Sequence, residues 1–238
     1  MAGHSKWSNI KHKKAATDAK RSKLFSKLIR EITVTARDGG GDLSMNPRLR
    51  IVVEKSKRSN MPQDTIARAI KRGTGDITGV NYEAQLYEGY GPAGIAIIIE
   101  VLTDNKNRVI ADLRNLFSKR GGAVAETGSV KWMFEHLGVV HGSSRSLSEE
   151  DLIEALIEYD IKNIEKDGEN WIISSDLKSL EDIKKCLLEL DFSIESAEPE
   201  WLAKDLVEVP QEKEKQAIDF LEALEDQDDV QNVYTNLA

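Results

Sequence analysis

The spacing of apolar positions changes character near residue 80. From about Ala15 to Arg37, Leu24, Phe25, Leu28, Ile29 and Ile32 recur at helical intervals, and Asp38-Gly39-Gly40-Gly41-Asp42 supplies a stop. Asn46-Pro47 pairs a capping residue with proline at the first helical position, which predicts a second helix to about Arg58 with Leu49, Val52 and Val53 turned inward. A third opens at Pro62 and closes at Gly73, with Ile66, Ala69 and Ile70 inward. Three helices with one apolar stripe each predict a small bundle.

Beyond a linker at 74–79 the pattern is of strands alternating with helices. Tyr82 to Glu88 and Ile95 to Leu102 flank Gly89-Tyr90-Gly91-Pro92-Ala93-Gly94 and read as a hairpin, followed by a helix from about Asn105 to Arg120 that Gly121-Gly122 stops. A second hairpin, Ile161 to Lys166 and Glu169 to Ser174, is joined by Asp167-Gly168, a pair suited to a tight primed turn. It lies between helices at about Ser148 to Tyr159 and Asp176 to Leu190. Residues 135–203 thus hold a complete split βαβ, or ferredoxin-like, unit. The tail 204–238, with a helix from about Gln211 to Glu225 and a strand from Val230 to Tyr234, is too short to fold alone, and 80–134 ends with an unmatched sheet. Joining them predicts an α+β protein of three domains. These are a helical bundle at 1–79, a discontinuous domain at 80–134 plus 204–238, and a domain inserted at 135–203, the last two ferredoxin-like.

Charge adds a polarity to this picture. The formal charge of the 238 residues is −8. Residues 1–79 carry 18 basic and 7 acidic side chains, net +11, whereas 80–238 carry 15 and 34, net −19. Such a split points to an anionic partner for one part of the chain. The longest aliphatic run, Ile95 to Ile99, is far short of the roughly 18 residues a membrane helix needs. No signal sequence or lipid anchor is visible at Met1 to Trp7, so a cytoplasmic protein without membrane contact is expected. The lone Cys186 excludes an internal disulfide and a multi-thiolate zinc site, and fits a reducing compartment.

The basic residues are ordered. On a helical wheel Lys20, Lys23, Lys27 and Arg30 form one stripe opposite the apolar set, while Arg21 falls among the apolar positions. Ahead of the helix, Lys6, Lys11, Lys13 and Lys14 surround Trp7. Lysines neutralise phosphates, and an exposed indole offers a face to an unpaired base; Trp7 is equally suited to anchoring a core. A solvated helix face mixes charge signs, yet residues 1–37 contain ten Lys/Arg against Asp18 and Glu31, which favours nucleic acid. The second and third helices have the short turn of a helix-turn-helix pair. That arrangement would put Asp64 at base edges, whereas the cations Arg68, Lys71 and Arg72 lie in later turns and suit phosphate contact. Thr103-Asp104-Asn105-Lys106-Asn107-Arg108 offers a helix cap at Thr103 or Asp104, and a second anion site at Lys106 and Arg108. His4, His12, His136 and His141 lack metal-ligand spacing, and no nucleophile or carboxylate pair forms a catalytic set, so no enzyme, cofactor, metal or small-molecule substrate is expected.

Met1-Ala2-Gly3-His4-Ser5-Lys6-Trp7-Ser8-Asn9-Ile10-Lys11-His12-Lys13-Lys14-Ala15-Ala16, Asp64 to Gly73, Tyr87-Glu88-Gly89-Tyr90-Gly91-Pro92, Thr103 to Arg108 and Asp229 to Asn236 together resemble the YebC family, from Met1 to Asn236. Ala123-Val124-Ala125 departs from the polar, glycine-containing loop expected there. The resemblance implies a three-domain α+β fold. It also implies a regulator of gene expression that binds DNA in transcription or, alternatively, structured RNA as a ribosome-associated translation factor or translational activator. Its basic N-terminal residues map onto Lys6, Lys11, Lys13, Lys14, Lys20 and Lys23. A third possibility is a protein-interaction module whose basic arm docks an acidic partner. The acidic remainder is expected to face the ribosome or another basic protein surface.

Overall fold

A computed structural model describes residue 7 and residues 18–238, the side chains of 18–20 and 167 excepted. The described residues form two compact units, one comprising those up to Trp132 together with Val207–Ala238, the other Met133–Leu206.

In the first unit, α1 (Asp18–Gly39), α2 (Pro47–Arg58) and α3 (Gln63–Gly73) converge on one apolar cluster. Leu28, Ile32 and Ala36 of α1 meet Leu49, Val52 and Val53 of α2 and Ile66 and Ala69 of α3. Asn46 is buried and does two things. Its Oδ1 accepts the Leu49 N–H at 3.0 Å, capping α2, while its Nδ2 donates to the carbonyls of Thr35 at 3.0 Å and Gly40 at 2.8 Å, tying that cap to the end of α1. Gly73 marks the closest approach of α3 to α1, because a Cβ there would sit 2.3 Å from the Thr33 carbonyl oxygen.

Strands β1 (Glu83–Tyr90), β2 (Ala96–Thr103), β3 (Ala123–Ala125) and β8 (Val230–Thr235) form the sheet of this unit in the order β3-β1-β2-β8, antiparallel throughout. Its two central strands, β1 and β2, are hairpin partners, and β3 and β8 take the edges. Residues 123–125 form an edge strand rather than a loop, and Val124 packs against the core, which explains an apolar residue there. Against the sheet lie α4 (Lys106–Arg120) and α7 (Gln211–Glu225). Alternate residues of β2, Ile97, Ile99 and Val101, meet Val109, Leu113 and Phe117 of α4 and Phe220, Leu221 and Leu224 of α7. Phe117 and Phe220 meet edge to face at 4.9 Å. Asn105, rather than Thr103 or Asp104, caps α4: its Oδ1 accepts the Arg108 N–H at 3.0 Å, and Thr103 Oγ1 in turn accepts the Asn105 N–H.

The second unit has the order β4 (Phe134–Ser143), α5 (Glu149–Leu156), β5 (Ile161–Asp167), β6 (Asn170–Ser175), α6 (Leu180–Glu189), β7 (Ser193–Ala203), with the sheet β5-β6-β4-β7 of a split βαβ fold. Ser148 and Asp151 form a reciprocal capping box on α5. Both helices are shorter than their periodicity suggested: α5 ends at Leu156, and a 3₁₀ turn at Leu177–Ser179 precedes α6. The β5–β6 turn is shifted by one residue, since Asp167 pairs with Asn170 and leaves Gly168, at φ +66°, and Glu169 as the loop.

Glu88 is buried within β1, and its carboxylate accepts three backbone N–H groups: Gly128 at 2.7 Å, Val130 at 2.6 Å and Lys131 at 2.8 Å. Burial pushes its pKa up, but the three donors outweigh that and hold it below the ordinary value of 4.5. The stability it contributes is therefore complete above about pH 4.5 and is lost as pH falls through the lowered folded-state value.

Two stability measurements follow. Phe220→Ala, which empties the α4–α7 contact, is expected to cost about 3–5 kcal/mol in urea unfolding. Glu88→Gln, which turns an amide toward backbone donors, is expected to cost about 2 kcal/mol at neutral pH. The gap to the parent chain should narrow in acid, and parallel pH profiles would show that the charge of Glu88 is immaterial.

Candidate nucleic-acid interface

The stripe on α1 points at the end of α7. Lys23 Nζ donates to the Asp226 carbonyl at 3.1 Å and lies 3.4 Å from its carboxylate, and Lys27 Nζ donates to the Glu225 carbonyl at 2.8 Å. Arg30 donates to the Asp228 carbonyl, lies 3.3 Å from Asp229 Oδ1, and holds its guanidinium 5.6 Å from the centre of the Tyr82 ring. The last carbonyls of a helix lack intrahelical partners and carry the negative end of its dipole, so cations at this place are favourable twice over. Positions 23, 27 and 30 are spaced to lie along one helix face, and that face reads the exposed carbonyls of one turn. Arg21 stands apart, its guanidinium 5.5 Å from the centre of the Phe25 ring.

Asp229 joins this contact to the start of α4. It is 8% exposed, meets Arg30 as above, and accepts from Arg108 at 2.8 Å, while its carbonyl accepts the Leu102 N–H at 2.9 Å. Arg108 also donates to Asp104 at 2.8 Å. This bond holds the Asp104 carboxyl below its usual range, and the bonds to Asp229 and Asp104 raise the pKa of Arg108. Lys106 pairs with Glu83, whose carboxyl it holds down in the same way. Beside the ion cluster lies a cleft of about 350 Å³ lined by Arg30, Arg108, Asp112, Asp226, Asp228 and Asp229. The second anion site expected at Lys106 and Arg108 is thus already filled by the chain's own carboxylates.

Arg68, Lys71 and Arg72 of α3 are brought together on exposed surface, Arg68 Nε donating back to the Asp64 carbonyl at 3.2 Å. Both α2 and α3 pack chiefly on α1 and touch each other little, unlike the paired helices of a helix-turn-helix. Trp7 is 3% exposed and belongs to the cluster of Ile95, Ile97, Leu113, Phe117 and Phe220, so its ring serves the core and has no free face for a base. Lys6, Lys11, Lys13 and Lys14, and the side chain of Lys20, lie outside the described residues. Among the described residues no group of His, Cys, Asp and Glu could hold a metal ion, and no helix is long and apolar enough to cross a membrane.

Sequence reasoning overlooked the acidic side of the interface. Glu225, Asp226, Asp228 and Asp229 follow the last apolar turn of α7 with no cation nearby in sequence, a run that calls for a partner from elsewhere in the fold.

Comparison with known proteins covers nearly the whole chain. Residues 5–76 match the model of the TACO1/YebC protein N-terminal domain, and residues 82–237 that of the TACO1/YebC second and third domain. Similar proteins from Chlorobaculum tepidum and Chloroherpeton thalassium, each named "probable transcriptional regulatory protein", are 48% identical over all 238 residues and 95% of their own length. The crystal structure of a conserved hypothetical protein from Aquifex aeolicus superposes with a TM-score of 0.85 at 40% identity, covering 94% of this chain and 93% of that one. With both family models matched and relatives this similar along their length, the chain belongs to the TACO1/YebC family.

Proposed function

We propose that this protein is a non-enzymatic regulator of transcription that binds DNA through its basic helical region. The observation that carries the reading is the acid-poor composition of residues 1–79, 18 basic against 7 acidic, together with the exposed cluster Arg68, Lys71 and Arg72 on α3. Those three cations lie in the later turns of the helix, where they reach phosphate oxygens, and the first turn carries Asp64, which phosphates repel. Binding of this kind is dominated by the backbone, with weak sequence preference. The name given to the Chlorobaculum tepidum relative supports the regulatory reading. The net −19 of residues 80–238 favours a second reading, in which the acidic surface meets a basic protein assembly such as the ribosome while the helical region holds structured RNA.

Two measurements test this. Replacing Arg68, Lys71 and Arg72 with Ala is expected to weaken binding to duplex DNA and to flatten the slope of log affinity against log salt by about 2.7, roughly 0.9 for each phosphate no longer neutralised. Crosslinking in cells followed by sequencing should recover promoter DNA. Recovery of ribosomal or transfer RNA in its place would overturn the DNA reading in favour of the translational one.

A further inference from the structure

We propose that the turn Glu225–Asp229 is a built-in competitor for the anionic partner of α1, so that Lys23, Lys27 and Arg30 hold either this turn or nucleic-acid phosphates, but not both. The inference rests on the nucleic-acid-binding reading above.

What the turn presents to α1 is chemically close to a phosphodiester backbone. It is a row of acceptor oxygens with no donor among those contacted: the carbonyls of Glu225, Asp226 and Asp228 and the carboxylates of Asp226 and Asp229. Helix ends can be capped by a single glycine or lysine. Here three cations from a helix some 200 positions away are spent on one turn, each aimed at a carbonyl and two of them also near a carboxylate.

The contact is graded in exposure, which sets how it would open. The Lys23 and Asp226 side chains are 44% and 64% exposed, so that pair is screened by salt and open to exchange with another polyanion. The side chains of Arg30 and Asp229 are 16% and 11% exposed and anchor the inner end. The cleft of about 350 Å³ beside Arg30 brings solvent up to the inner pair. Exchange therefore starts at Lys23 and runs inward, and the affinity measured for nucleic acid is lowered by the fraction of molecules in which the turn occupies the stripe.

The test uses the full chain and a short labelled duplex DNA, with a structured RNA hairpin in parallel. Asp226→Asn/Asp228→Asn removes two exposed charges while keeping the carbonyls. A matched control, Glu208→Gln/Glu212→Gln, removes two exposed charges near the start of α7, about 20 Å of helix away. The first variant is expected to bind about three- to tenfold more tightly at low salt, an advantage that shrinks as salt rises. The control should gain clearly less. In the parent chain, hydrogen exchange of the amides at 226–230 should speed up when nucleic acid is added, while α1 becomes more protected. Equal gains from both variants, or unchanged exchange in the turn on binding, would overturn the competition. Failure of the parent chain and the Asp226→Asn/Asp228→Asn variant alike to bind DNA or RNA would overturn the nucleic-acid reading itself.

Discussion

Asp229 is buried, and a buried carboxylate is tolerated only where countercharges reach it. Two do: Arg30 from α1 and Arg108 from the first turn of α4. Because Arg108 is also held by Asp104, and the Asp229 carbonyl takes the Leu102 N–H, this one residue ties α1, the end of β2, the start of α4 and the start of β8 to one point. The helical region is thereby referenced to the β3-β1-β2-β8 sheet by charge as well as by packing.

The elements that were legible from sequence are those whose cause is local. Asn46-Pro47 announced α2 because a side-chain cap and a fixed φ act within a few residues, and Val109, Leu113 and Phe117 announced the buried face of α4 through their spacing alone. The β5–β6 turn moved by one residue because ladder register, which no dipeptide encodes, decides which two residues are left over. Trp7 is the sharper case: an indole among lysines is equally consistent with a base and with a core, and only the cluster around Phe117 and Phe220 decides. The stripe of Lys23, Lys27 and Arg30 was visible as a stripe, but its partners lie 198–203 positions away in sequence, beyond the reach of any periodicity.

The same distance changes what net charge means for this molecule. A sum of +11 over residues 1–79 describes a helical region in isolation, yet part of that charge is answered within the fold by the acids after α7. The exposed cations of α3 keep their charge toward solvent, so the field felt by an approaching polyanion is concentrated on a smaller area than the composition implies.

The pairing of β2 with β8 has a consequence in time. These strands are separated by more than a hundred residues, and the whole of Met133–Leu206 is made between them. A chain synthesised from its N-terminus exposes Ile97, Ile99 and Val101 long before α7 and β8 exist to cover them, while the strands of the second unit are contiguous and can close first. For that interval α1 also lacks its acidic turn, so the newborn protein is more cationic at its head than one in which the acids after α7 have been made.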